Sequence, residues 1–191
     1  FLSNSIPSTV SLFLNNFSLF AMVFGDKMKS IIPHVIDLIC NHWGVLDISL
    51  LLRVTEWIIM TFQSVFKPYI FKVTTLFVSD LFARSPETVN LIFSTLVSYG
   101  PLIKEVHSLV IPSFLEWINN ISANIDFNIF NDILMKLKSI LLNLEDNTYG
   151  LAVLRTLSYV LHRLPNNQDD TRIMDLFCLI VLQMKSEFLL F

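Results

Sequence analysis

Cysteine, glycine and charge are all scarce in this chain of 191 residues: it has 2 Cys, 4 Gly and only 15% charged residues. Two thiols far apart, Cys40 and Cys178, form no disulfide framework, so a reducing compartment is expected, with both as buried small hydrophobes. The four glycines are isolated and none is followed by Lys-Ser or Lys-Thr, which excludes a phosphate-cradling loop. A net charge of −3 lacks the basic excess that nucleic-acid binding draws on. No Ser or Cys stands in a nucleophile-elbow context.

Apolar residues are abundant instead: 53% of the chain is hydrophobic, 17 residues are Phe, and mean hydropathy is +0.62. That excludes disorder and raises the question of a membrane. Residues 1–25 carry no charge until Asp26, but Ser3, Asn4, Ser5, Ser8, Thr9, Ser11, Asn15, Asn16 and Ser18 crowd that stretch with polar groups. Elsewhere Arg53 and Glu56, Lys67 and Lys72, and Lys104 and Glu105 interrupt the apolar runs. The expectation is no membrane insertion, and helices buried on more than one side, as in stacked helical layers. The chain opens on Phe1 and closes inside an apolar pattern at Phe188 to Phe191, which suggests a piece of a longer polypeptide.

Apolar positions follow the helical period nearly everywhere, as Ile48, Leu51, Leu52, Ile58, Ile59, Phe62, Val65 and Phe66 illustrate. The spacing predicts helices near 5–15, 17–24, 30–43, 47–66, 69–83, 86–99, 102–119, 127–143, 148–163 and 169–190. Gly25, Gly44 and Gly100 sit where helix ends favour a left-handed residue, and Asp47, Ser85, Asp126, Asp146 or Asn147, and Asp169 read as starts.

A repeat emerges at the joints. An apolar or aromatic residue followed closely by Gly or Pro recurs in Phe24-Gly25, Phe66-Lys67-Pro68, Tyr99-Gly100-Pro101 and Leu164-Pro165. A second series, Pro7, Pro33, Pro68 and Pro112, is spaced by 26, 35 and 44 residues. Degenerate helix pairs of about 35 to 47 residues characterise HEAT and armadillo-like arrays. The expected fold is therefore all-α: a single segment over 1–191, a right-handed α-solenoid of HEAT/armadillo-like helical hairpins with nine or ten helices. Tandem four-helix bundles are the structural alternative. Asn119 to Asn124 leave too little room for a further helix, so either one helix is lost there or the pairing slips by one.

Candidate chemistry is sparse. His34, Asp37, Cys40 and His42 are the nearest approach to a metal set, but no His pair has the spacing of a zinc helix, and Ile32, Ile36, Ile39 and Trp43 are expected inward. His107 and His162 read as surface or capping residues, and Lys27 with Lys29 and Lys136 with Lys138 as solvated pairs. Trp43 and Trp117 fit core spacing, whereas Trp57, at the edge of its apolar stripe, is the candidate partner-contact residue. No catalytic, cofactor-binding or metal residue is assigned.

IIPHVIDLICNHWG, FKPYIFKVTTLFV, YGPLIKEVHSLVIPSFLEWI and LEDNTYGLAVLRTLSYVLHRL resemble, in order and spacing, successive repeats of the central HEAT region of target-of-rapamycin (TOR) serine/threonine kinases, of the phosphatidylinositol 3-kinase-related family. The resemblance implies a non-catalytic scaffold segment, without cofactor, whose parent carries its kinase domain outside this chain. It implies protein partners, namely the adaptor subunit of the kinase complex and a second kinase protomer, with no nucleic acid. It also implies a cytoplasmic place, or a peripheral one on endomembranes through the complex, in growth and nutrient signalling. The alternative function is a HEAT-type nuclear transport or assembly factor holding cargo on its concave face. A helical enzyme domain would need a convergent polar pocket.

Overall fold

The computed structural model describes residues 5–120, 126–144 and 148–161, with Asp175 and Cys178 as isolated helical positions. Among these residues the chain is helical with no strand. The α-helices are α1 Ser5–Asn15, α2 Phe17–Phe24, α3 Ile32–Asn41, α4 Ile48–Phe66, α5 Ile70–Asp80, α6 Pro86–Ser98, α7 His107–Asn120, α8 Phe127–Leu142 and α9 Gly150–Leu161. The helix expected over 169–190 and the starts at Asp146, Asn147 and Asp169 lie outside the described residues.

Local chemistry explains the boundaries. The Asp47 carboxylate accepts from the Ser49 backbone N–H at 3.0 Å, Ser85 Oγ from Thr88 N–H at 3.4 Å, and Asp126 from Asn128 N–H at 2.7 Å. Each bond satisfies a donor that the first helical turn leaves open. The Glu87 carboxyl is held below its ordinary range by the Ser85 hydroxyl and by its own backbone N–H. Gly25 and Gly100 both adopt φ of +52°, a left-handed backbone that resists other residues.

Those two glycines open the same local device. Each begins a six-residue 3-10 turn, Gly25–Ser30 and Gly100–Glu105, whose fourth residue, Met28 or Ile103, is buried. Each turn delivers the chain to a helix seven residues after the glycine, α3 or α7. The shorter turn Lys67–Tyr69 does the same before α5. The joints at Phe24-Gly25, Phe66-Lys67-Pro68 and Tyr99-Gly100-Pro101 are therefore points where the chain changes layer, and Leu164-Pro165 lies outside the described residues.

Two layers result. α1 packs on α4, α4 on α6 and α6 on α8, while α3 packs on α5, α5 on α7 and α7 on α9. Asp37 meets Lys72, and Trp43 meets Phe77 and Asp80, so α3 and α5 run in the same direction. α7 and α9 do likewise, with His107 against Tyr149 and Asn119 against Thr156. Starts at Ile48, Pro86 and Phe127 give steps of 38 and 41 residues in the first layer. Starts at Ile32, Ile70, His107 and Gly150 give 38, 37 and 43 in the second. The proline series blurred this period because Pro33 opens α3, Pro68 precedes α5 and Pro112 lies inside α7.

The sequence leaves a lost helix or a pairing shifted by one as alternatives near Asn119; α7 packs on α5 and α9 while α8 packs on α6, so the alternation of layers continues from α7 to α8. The hydrophobic core runs through both layers, from Leu14 and Phe17 to Val153 and Leu157. Ile32, Ile36 and Ile39 point inward as expected, joined by Val35.

Candidate functional site

The outer edge of α4 carries the residue singled out from the sequence. Trp57 is half-buried, its ring edge-on to Phe17 at 5.6 Å and to Phe62 at 5.7 Å. Phe62 takes a non-helical backbone (φ −126°, ψ 41°) inside α4, and this break lies five residues from Trp57 on the same helix. Beside Trp57 a cavity of about 170 Å³ opens between the α1–α2 corner and α4, lined by Leu14, Asn15, Phe17, Ser18, Leu50, Arg53, Val54 and Trp57. Its floor is apolar, because Leu14, Phe17, Leu50 and Val54 are buried core residues.

Arg53 stands exposed at the rim, and among the described residues it has no hydrogen-bond or ion-pair partner. On its far side lies a second hollow, of about 400 Å³, between Ser49, Leu52, Arg53 and Glu56 on α4 and Leu91, Ser94 and Thr95 on α6. A third, of about 460 Å³, opens between Asn119, Asn120, Arg155, Thr156 and Tyr159.

Several other charges join units. Lys72 Nζ donates to Asp37 at 2.7 Å across α3 and α5, and this bond raises the lysine pKa. Lys67 pairs with Glu105 at 3.0 Å between the 3-10 turns. Asp80 Oδ2 accepts from Trp43 Nε1 at 3.0 Å and from Arg84 Nε at 2.6 Å, tying α3, α5 and the following turn together. Lys136 donates to the Asn90 carbonyl at 3.1 Å and lies 3.1 Å from Asp132, so it bridges α6 and α8 rather than forming a solvated pair with Lys138. Sequence spacing could not reveal the links between units, since those partners are 35 to 46 residues apart, whereas Asp80 with Arg84 and Asp132 with Lys136 are local i, i+4 pairs.

The metal candidates do not converge. Asp37 is bound to Lys72, His42 Nδ1 lies 2.9 Å from the Leu38 carbonyl at the end of α3, and His34 is exposed. Among the described residues no group of three or more His, Cys, Asp or Glu side chains is placed to hold an ion. Cys40 is half-buried and burial raises its thiol pKa, which disfavours the nucleophilic thiolate. Cys178 is exposed, which corrects the expectation that both thiols are buried.

His107 also departs from its surface reading. It is half-buried against the Tyr149 ring, and its Nδ1 is buried without a hydrogen-bond partner. His162 lies outside the described residues. Trp117 is buried and Trp43 packs against the core, as their spacing indicated.

Among the described residues, exposed apolar side chains are most concentrated at the α1–α2 end. Leu12, Leu19, Phe20, Met22, Val23 and Phe24 are all exposed there. One helical run among the described residues, Ile48–Ala83, is long and apolar enough to cross a membrane, and the bent pair Ser8–Asn15 and Phe17–Ser30 meets the same criterion jointly. For α4 the apolarity has another use, since Leu51, Val54, Ile58, Ile59 and Phe66 are buried inside the fold. The chain matches no protein-family model, no curated protein and no solved structure.

Proposed function

We propose that this chain is a span of a HEAT-like α-solenoid acting as a non-catalytic scaffold in a TOR-type serine/threonine kinase. In this reading it supports kinase dimerisation and docking of the adaptor subunit, in the cytoplasm or peripherally on endomembranes. The kinase chemistry belongs to a domain of the parent outside this chain.

The observation that carries the solenoid reading is the two-layer alternation with steps of 37 to 43 residues between equivalent helices. A stacked array packs each helix on its counterpart in the next unit, running in the same direction. A four-helix bundle packs sequential helices as antiparallel neighbours around one closed core. The same-layer pairs α3/α5 and α7/α9, parallel in direction, favour the array. The exposed apolar end at α1–α2 favours a span whose neighbour supplies the missing cover, because monomers rarely leave such patches open. The TOR assignment rests on the sequence resemblance alone.

The test is the parent reading frame. Further helix pairs at about 40 residues per unit, followed downstream by a kinase catalytic loop and Mg-binding motif, are the expected result. A parent made of the same repeats without a kinase domain would overturn the TOR reading and favour a transport or assembly factor. A parent without such repeats would overturn the scaffold reading.

A further inference from the structure

We propose that the cavity beside Trp57 is a docking pocket for one branched aliphatic side chain of a partner protein, with an adjacent acidic residue of that partner paired to Arg53. Volume decides the class of occupant. Sites for cofactors and drug-sized ligands run to roughly 300–1,000 Å³. At about 170 Å³ this cavity is below that range. An apolar cavity of roughly 150 Å³ admits a group the size of benzene, so a leucine-sized side chain fits.

The lining decides the chemistry. Leu14, Phe17, Leu50 and Val54 form an apolar floor, and the Trp57 ring forms one wall. A half-buried Trp beside a pocket is the kind of residue that concentrates binding energy at interfaces. Arg53 is the one ionisable residue lining this cavity, and among the described residues it has no partner. A guanidinium at the rim of an apolar pocket complements a carboxylate held next to the inserted side chain. Arg53 also lines the second hollow, and Glu56 lines that hollow but not the cavity beside Trp57. The proposal rests on the scaffold reading only in taking the partner to be a protein. A pocket that binds nothing would leave the packing of the array untouched, and a parent without repeats would leave the pocket chemistry untouched.

The test uses the full chain labelled with 5-fluorotryptophan, whose three fluorine signals are assigned with Trp43→Phe, Trp57→Phe and Trp117→Phe. Three probes are titrated: acetyl-Leu-Asp-amide, acetyl-Leu-Asn-amide and acetyl-Gly-Asp-amide. The expected result is a saturable shift of the Trp57 signal alone with Leu-Asp, about three- to fivefold weaker binding of Leu-Asn, and no saturation with Gly-Asp. Arg53→Gln should equalise the two leucine probes while leaving the Trp43 and Trp117 signals in place, which reports an intact fold. Equal affinity of Leu-Asp and Leu-Asn for the unaltered chain, saturation by Gly-Asp, or no Trp57 shift with any probe would overturn the proposal.

Discussion

α2 and α6 are both apolar helices, yet they bury their side chains very differently. α2 reads FSLFAMVF, and only Phe17 and Ala21 are buried, with Met22 at 74%, Val23 at 77% and Phe24 at 52% exposure. α6 contains Pro, Glu, Thr, Asn and Ser, but Val89, Ile92, Phe93, Thr95 and Leu96 are all buried. The difference lies in their neighbours. α6 has α4 on one side and α8 on the other, whereas α2 packs on α1, α4 and the turn after it, at the open end of the layers. Burial in this chain is set by position in the stack rather than by the composition of a helix.

The aromatic joints repeat the lesson. Phe66 and Tyr99 occupy the layer-changing joints, are fully buried, and pack edge-on at 5.6 Å. Phe24 occupies the matching joint before α3 and is left largely in solvent. Phe at an equivalent place is core in the interior, as Phe66, and surface at the end, as Phe24.

The comparison is broken most forcefully by emptying the interior. Phe93 is fully buried, with its ring centroid 3.8 Å from that of Phe114. Phe93→Ala should lower stability by roughly 3–5 kcal/mol in urea denaturation. Phe24→Ala at the open end should leave the midpoint nearly unchanged. Similar losses from both variants would mean that the two regions are packed alike.

Charging the interior comes next. Ile36 is 1% exposed between Ile32 and Ile39 on α3. Ile36→Asp places an unpaired carboxylate in the core and should cost at least about 3 kcal/mol, read as a collapse of the thermal midpoint. Retention of most of the wild-type midpoint would show that α3 is rotated from the orientation described.

A smaller effect sharpens the account of the buried polar groups. The Tyr99 hydroxyl is buried and shares a 3.1 Å hydrogen bond with Thr74. Tyr99→Phe should cost about 1 kcal/mol, because the Thr74 hydroxyl is left without its buried partner. Burial pushes the phenol above its ordinary value of 10, which the Thr74 bond offsets only in part. The folded chain therefore keeps this proton when the unfolded chain has released it. The contribution is complete below pH 10 and is lost as pH rises above it through the folded value. Tyr99→Phe should thus flatten the alkaline limb of the stability profile, and an unchanged limb would contradict a tight Tyr99 site.

The smallest effect is expected at the surface between α3 and α5. Asp37 and Lys72 are joined at 2.7 Å, but each side chain is 51% exposed. Exposed ion pairs contribute little, and salt screens them. Asp37→Ala should leave the denaturation midpoint within experimental scatter, so a clear drop would assign the joint a strength its exposure does not support.

Local features were the legible ones. Asp47, Ser85 and Asp126 cap helices as expected, and Gly25, Gly44 and Gly100 take positive φ, because capping and left-handed turns involve residues a few positions apart. The inward stripe of Ile32, Ile36 and Ile39 was legible for the same reason. Layer membership was not, since it depends on which helix each face meets. The spacing near Asn119 admits either a lost helix or a shifted pairing, and only the contacts of α7 with α5 and of α8 with α6 assign those helices to different layers. Lys136 looked like half of a solvated pair until the fold brought Asn90 beside it. Trp57 was found as the edge of an apolar stripe, whereas its cavity required the α1–α2 corner, whose arrival no periodicity announces.

The central claim is that the α1–α2 end is an open face of a stacked array. Multi-angle light scattering over a wide concentration range, with a hydrophobic dye added in parallel, tests it most directly. The chain should gain mass with concentration and bind the dye, and the combined variant Met22→Lys, Val23→Glu, Phe24→Ser should reduce both while keeping its helical circular dichroism. A dye-negative monomer at every concentration would contradict the account, because Leu19, Phe20, Met22, Val23 and Phe24 would then be compatible with a finished surface.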